Sequence, residues 1–199
     1  MSLRALLHHF KEMKVYFCII VGLFILGIVL GANHWNEAII MEQMKHIQKL
    51  AEQAKDSEVV ELAFFKIIFF NNVKSMVLMV LMGLLFGIMP IISIFTNGLL
   101  LGFVGNMQEG TWLDLVKGIA PHGVLEIPAL FIACAYGLRL GVLVIQGIGS
   151  LGNEDRKRKF KDNFIRLSKL MVPLLILLVV SLLIAALIES TVSLWLVQS

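Results

Sequence analysis

PHGVLEIPALFIACAYGLRLG, residues 121–141, is apolar and long enough to cross a bilayer, yet it holds His122, Glu126, Pro128 and Arg139. A hydrocarbon core about 30 Å thick takes roughly 20 apolar residues of helix. A carboxylate at the centre of such a helix costs about 2.5–3.5 kcal/mol, and less near an interface. Glu126 therefore needs a partner or a shallow position. His122 and Glu126 are four residues apart and share a helix face, since each residue turns about 100°. Arg139 lies thirteen residues further on and on another face, so within one straight helix it does not pair with Glu126. It reads as an arginine snorkelling to an interface.

The rest of the chain agrees with a membrane reading. Of 199 residues, 58% are hydrophobic and 16% charged, against about 45–50% and about 25% in soluble domains. Mean hydropathy is +0.88. The net charge of +3 is small and its basic residues are clustered. They read as topology signals and not as a nucleic-acid face, so no nucleic-acid partner is expected. Cys18 and Cys134 both lie in apolar runs and form no CxxC or Cys/His spacing.

Apolar runs define an all-α integral membrane protein, a single polytopic domain over residues 1–199. About five transmembrane helices are predicted, at 15–32, 73–89, 91–104, 121–145 and 170–188. The first run exceeds the usual signal-peptide core of about 7–15 residues, so it is taken as an uncleaved span. The stretch 73–104 is too long for one crossing and is divided at Pro90. Residues 63–70, AFFKIIFF, look interfacial. Between the first two spans, segment 33–62 places Ile40, Met44, Ile47, Ala51 and Ala54 on one narrow stripe among charged residues. This is an amphipathic helix. It offers a partner-binding surface, or it lies on the protein's own spans or on lipid.

Sidedness follows from charge. The N-terminal tail and the linker 153–169, NEDRKRKFKDNFIRLSK, are the basic regions, and both are assigned to the cytoplasm. An even number of spans must separate them, which requires 91–104 to cross despite its shortness. The N-terminus is then cytoplasmic, and segment 33–62 and the C-terminus are outside.

Two further patterns bear on packing and chemistry. Glycines recur four residues apart as Gly27/Gly31, Gly83/Gly87, Gly98/Gly102 and Gly137/Gly141. GxxxG spacing lets helix backbones approach closely, within one chain or in a homo-oligomer. His122, Glu126, Asn72 and Asn97 form a candidate intramembrane polar site, with Asn71 a further donor. That site is read as a structural lock, an ion or proton site, or an interfacial cluster. Pro128 adds a carbonyl freed one turn earlier. His122 and Glu126 are too few ligands for zinc. No HExxH, GxSxG, phosphate-binding or dinucleotide motif is present. No enzyme, metal or cofactor is expected.

The PHGxxExPA block at 121–129, with FFNN at 69–72 and NGLLLG at 97–102, resembles the stage II sporulation protein M family over nearly the whole chain. The resemblance implies a membrane anchor in forespore engulfment that holds cell-wall-degrading partners in the bacterial plasma membrane. It makes Pro121, His122, Gly123, Glu126 and Pro128 the core positions, with Asn72 and Asn97 as companions. A non-enzymatic scaffold, with membrane lipid around it, is the expected function. A small transporter or channel built on the polar site is the alternative, and lipid handling by the short 91–104 span is a third.

Overall fold

The computed structural model describes residues 11–55, 60–107 and 112–198; side chains at 112–124 and 188–198, and at several positions between 51 and 68, are outside that description. All its regular structure is helical: α1 (Lys14–Ala32), α2 (Glu37–Lys55), α3 (Val60–Met82), α4 (Ile88–Met107), α5 (Trp112–Ile148) and α6 (Glu154–Gln198). Five stretches are long and apolar enough to cross a membrane: Lys14–Ala32, Phe65–Met82, Ile88–Met107, Leu125–Ile148 and Glu154–Leu187. The chain is a multi-pass membrane protein.

The first span agrees with its expected bounds, but the next two do not. The break falls at residues 83–87 and not at Pro90. Phe86 and Gly87 take positive φ values of 56° and 75° there, which ends α3 and starts α4. Glycine enters that region without a Cβ penalty. Pro90 sits in the first turn of α4, where its missing N–H has no helical partner to lose. The second span therefore moves back to Phe65–Met82 and absorbs most of AFFKIIFF. The third lengthens to 20 residues, about 30 Å of helix, so the motive for local bilayer thinning is gone.

Segment 153–169 is also not a linker. Asn153 Oδ1 accepts the Arg156 backbone N–H at 3.0 Å, which caps α6. Glu154 and Asp155 occupy its first turn, where acids favour the helix dipole. Arg156, Lys157, Arg158 and Lys159 thus form the exposed start of a helix that runs unbroken into the last span. The fourth span likewise belongs to a longer helix, α5, which continues through Pro121 and Pro128.

Glycines set how the helices meet. A Cβ on Gly27 would lie 2.5 Å from the Phe95 carbonyl oxygen and 3.0 Å from the Gly98 Cα. Gly31 similarly faces Leu99 backbone, and Gly102 faces Ile28 backbone, so α1 and α4 touch main chain to main chain. A second seam joins the end of α3 to α5. Gly83 faces the Gly137 backbone, Gly137 lies against the Met79 carbonyl and Pro90, and Gly141 meets Phe86 and Gly87. These contacts are within one chain. A core of Ile20, Met76, Val80, Ala133, Tyr136 and Leu174 fills the space between α1, α3, α5 and α6.

Polar contacts identify the two ends of the bundle. Arg166 on α6 pairs with Glu12, just before α1, at 2.9 Å. The start of α1 and the basic stretch therefore share one end. At the other end the α1–α2 turn is pinned to α4: the Asn106 amide lies 3.1 Å from His34 Nε2, and the His34 ring packs edge-on to Phe103 at 5.2 Å. From that turn α2 folds over the bundle. Its stripe is anchored by Ile40, fully buried with Leu99 and Phe103, and by Met44 beside them. The amphipathic helix lies on the protein's own spans.

Candidate functional site

α2 roofs a cavity of about 670 Å³ whose walls are α3, α4 and α5. Each helix turns a polar edge into it. From α3 come the adjacent Asn71 and Asn72, and Ser75 one turn further on. From α4 come Ser93 and Asn97, also four apart, and from α5 comes Glu126. α2 contributes Glu42, Gln43 and His46. Apolar side chains, among them Met76, Leu100 and Ile127, complete the lining. Along α3 the cavity runs from Asn71 to Met79, about 12 Å at the helical rise. Its polar wall therefore reaches well into the span.

The central contact is between α3 and α5. Asn72 Nδ2 donates to Glu126 Oε1 at 2.5 Å, across 54 residues of sequence. Both side chains are half-buried. A hydrogen bond to a charged group contributes about 1.5–3 kcal/mol to stability. Of the residues assigned to the polar site by sequence, Glu126, Asn72 and Asn97 line one space. Asn97 does not reach Glu126. Its amide donates to the Ser93 carbonyl at 2.8 Å, one turn back on its own helix. Backbone capture of this kind is a common alternative for a helical asparagine. Pro121, His122 and Gly123 lie on α5, with their side chains outside the described residues. Pro128 is exposed.

Arg139 stands apart from the cavity, toward the end that carries Glu12 and Arg166. Its guanidinium lies over the Tyr16 ring, 5.6 Å from the centroid, and its Nε is buried with no hydrogen-bond partner among the described residues. A cation–π contact therefore holds it beside α1. Gly137 and Gly141 act in the α3–α5 seam and do not line the cavity.

Glu42, Gln43, His46, Ser75 and Ser93 were not expected in the site. The first three read as the polar face of an amphipathic helix. Their spacing of three and four does mark one shared edge, which is the signal that was available. What it could not show is that this edge folds back over a span. Among the described residues no cluster of three or more His, Cys, Asp or Glu side chains is arranged to hold a metal ion.

Comparison with known proteins gives one match. The model of the family described as stage II sporulation protein M matches residues 19–194, most of the chain. No curated protein and no solved structure matches.

Proposed function

The chain belongs to the stage II sporulation protein M family, and from that premise we propose that it is a non-enzymatic scaffold of the bacterial plasma membrane. Its N-terminus and the basic start of α6 face the cytoplasm. α2 and the C-terminus face outside, where cell-wall-degrading partners would be held. The positive-inside tendency supports this orientation. The observation that carries the reading is the seating of α2. Ile40 and Met44 fix the helix to α4, while Lys45, Gln48, Lys49 and Glu52 stay exposed along one edge. A rigid polar edge beside a glycine-clasped bundle is suited to docking a partner.

The test reverses charge on that edge without touching Ile40 or Met44. Lys45→Glu with Lys49→Glu should lower recovery of hydrolase activity that co-purifies with the tagged protein, and leave its thermal midpoint unchanged. Recovery equal to wild type would count against the scaffold.

A second reading has its own observation, the cavity. Amide, hydroxyl and carboxyl groups from four helices surround it, and ionisable groups inside membranes mark substrate or ion pathways by default. On this reading the protein binds and moves a small polar solute. Flux into proteoliposomes, lost in Glu126→Gln, is its signature. Absence of flux over a broad solute panel would remove it.

A further inference from the structure

We infer that the end of the bundle bearing Glu12 and Arg166 carries a docking step for an anionic phospholipid. Lys157 and Lys161 on α6 take its headgroup phosphate, and the α3–α4 turn lies beneath that headgroup, screened from water. The inference stands apart from both functional readings above.

The composition of the turn is the first observation. Residues 76–92, which contain it, carry no polar side chain. At its tip Leu84, Leu85 and Phe86 are each about half exposed. The N–H groups of Gly83, Leu84, Leu85, Gly87 and Ile88 all donate to carbonyls between Met79 and Leu85. Such a turn needs no water for these donors, and its exposed side chains are more stable out of water.

Depth is the second. A Cβ on Gly147 would stand 2.8 Å from the Phe160 ring, which fixes the register of α5 against α6. Six residues further into the bundle on each helix, Gly141 is level with Arg166, and Gly141 meets Phe86 and Gly87. The turn therefore stops at the level of Arg166. Lys161 and Lys157, five and nine residues earlier on α6, lie about 8 and 14 Å beyond it. A headgroup layer is about 5–8 Å thick on each side of the hydrocarbon. With the turn at the hydrocarbon edge, Lys161 falls at the phosphates, and Lys157 reaches them from outside on its long stem.

The third observation is that the lysines flank the turn. Arg166 points to Glu12, just before α1. Lys161 and Lys157 lie roughly 140° and 180° round the helix from it. They stand on the opposite flank, where α6 packs beside α3. On α5, Ile145 and Ile148 follow Gly141 by four and seven residues and continue the face that meets the turn; both are exposed. Turn, α5 face and basic flank form one step. Its apolar parts suit the glycerol and upper acyl region of a lipid, and its two ammonium groups suit the phosphate. Lys157 also lies 3.5 Å from Glu154, an exposed pair that contributes little and can yield to a phosphate.

Native mass spectrometry of the full chain in neutral detergent tests this, with phosphatidylglycerol and phosphatidylcholine as probes. Phosphatidylglycerol should bind saturably and more tightly than phosphatidylcholine. Lys161→Gln should weaken it about fivefold, and Lys157→Gln added to that about fivefold again. Lys159→Gln removes the same charge from the Arg166 flank and should leave binding nearly unchanged. Equal losses from Lys159→Gln and Lys161→Gln, or no preference for phosphatidylglycerol, overturn the inference. Competition by soluble glycerol phosphate would make this a free-phosphate site and also overturn it. A second measurement places the turn. A nitroxide on Leu85→Cys, in a background with Cys18 and Cys134 replaced by alanine, should be relaxed by oxygen more than by an aqueous nickel chelate in vesicles of the two lipids. Relaxation mainly by the chelate would put the turn in water, open to a protein partner, and overturn the lipid step.

Discussion

Replacing Gly27 by alanine adds one methyl group to the α1–α4 seam. The new carbon would stand 2.5 Å from the Phe95 carbonyl oxygen and 3.0 Å from both Gly98 Cα and Leu99 N. A relaxed carbon–oxygen contact is about 3.3–3.6 Å, so the helices must part by roughly 1 Å. The obstacles are backbone atoms, which cannot rotate aside. A gap of that size forfeits about a quarter to a half of each dispersion contact along the seam. Overpacking of this kind costs about 1–3 kcal/mol. Gly22, five residues earlier on the same helix, supplies the control, because a Cβ there meets nothing within 4 Å. Gly22→Ala should stabilise by up to about 1 kcal/mol through helix propensity. That propensity gain is common to both sites, so the two alanines should differ by the overpacking cost, about 1–3 kcal/mol, with Gly27→Ala the less stable. Reversible unfolding in mixed micelles titrated with SDS, followed by circular dichroism, measures both. Equal shifts for Gly22→Ala and Gly27→Ala would refute the reasoning, because the seam would then contribute nothing.

Asn72→Ala removes the donor to Glu126 and should cost about 1.5–3 kcal/mol in the same assay; Glu126→Gln, which keeps an acceptor, should cost less. A midpoint unchanged by Asn72→Ala would show that the α3–α5 contact is not structural. Asn153→Ala deletes the α6 cap and should cost about 1 kcal/mol, seen as faster amide exchange over 154–158 with the rest of α6 unaffected. For sidedness, cysteines at Lys157 and Gln48, in a background with Cys18 and Cys134 replaced by alanine, should respond oppositely to an impermeant maleimide. Gln48→Cys should label in intact spheroplasts and Lys157→Cys only after lysis; the reverse pattern would invert the proposed orientation.

Several features were legible from residue order alone because they are local. Apolar runs marked the spans, glycines at four-residue spacing marked flat helix faces, and Glu126 with Asn72 stood out as polar groups in apolar surroundings. The position of the first hairpin was not legible. Pro90 looked like the break, but a proline in a first helical turn disturbs nothing, and the turn needed Gly87 at positive φ instead. The start of α6 could have been found, since Asn153 followed by Glu154 and Asp155 is a helix-entry signal that the run of basic residues obscured. The cavity itself was beyond reach. It exists because α2 folds back onto α4 through Ile40, and periodicity cannot report which surface an amphipathic stripe will meet.

The Glu12–Arg166 pair also has a bearing on biogenesis. Its members are separated by 154 residues, roughly 8–30 s of synthesis at ordinary ribosomal speeds. Glu12 must wait that long for its partner, and α3 and α5 must likewise wait for the helix that covers them. Meanwhile the glycine seam to α4 can already close, so the nascent chain has a stable intermediate grip before its last segment is made. Truncation ahead of residue 154 should therefore yield a protein whose α1–α4 seam forms, yet which is cleared by membrane quality control for the uncovered faces of α3 and α5.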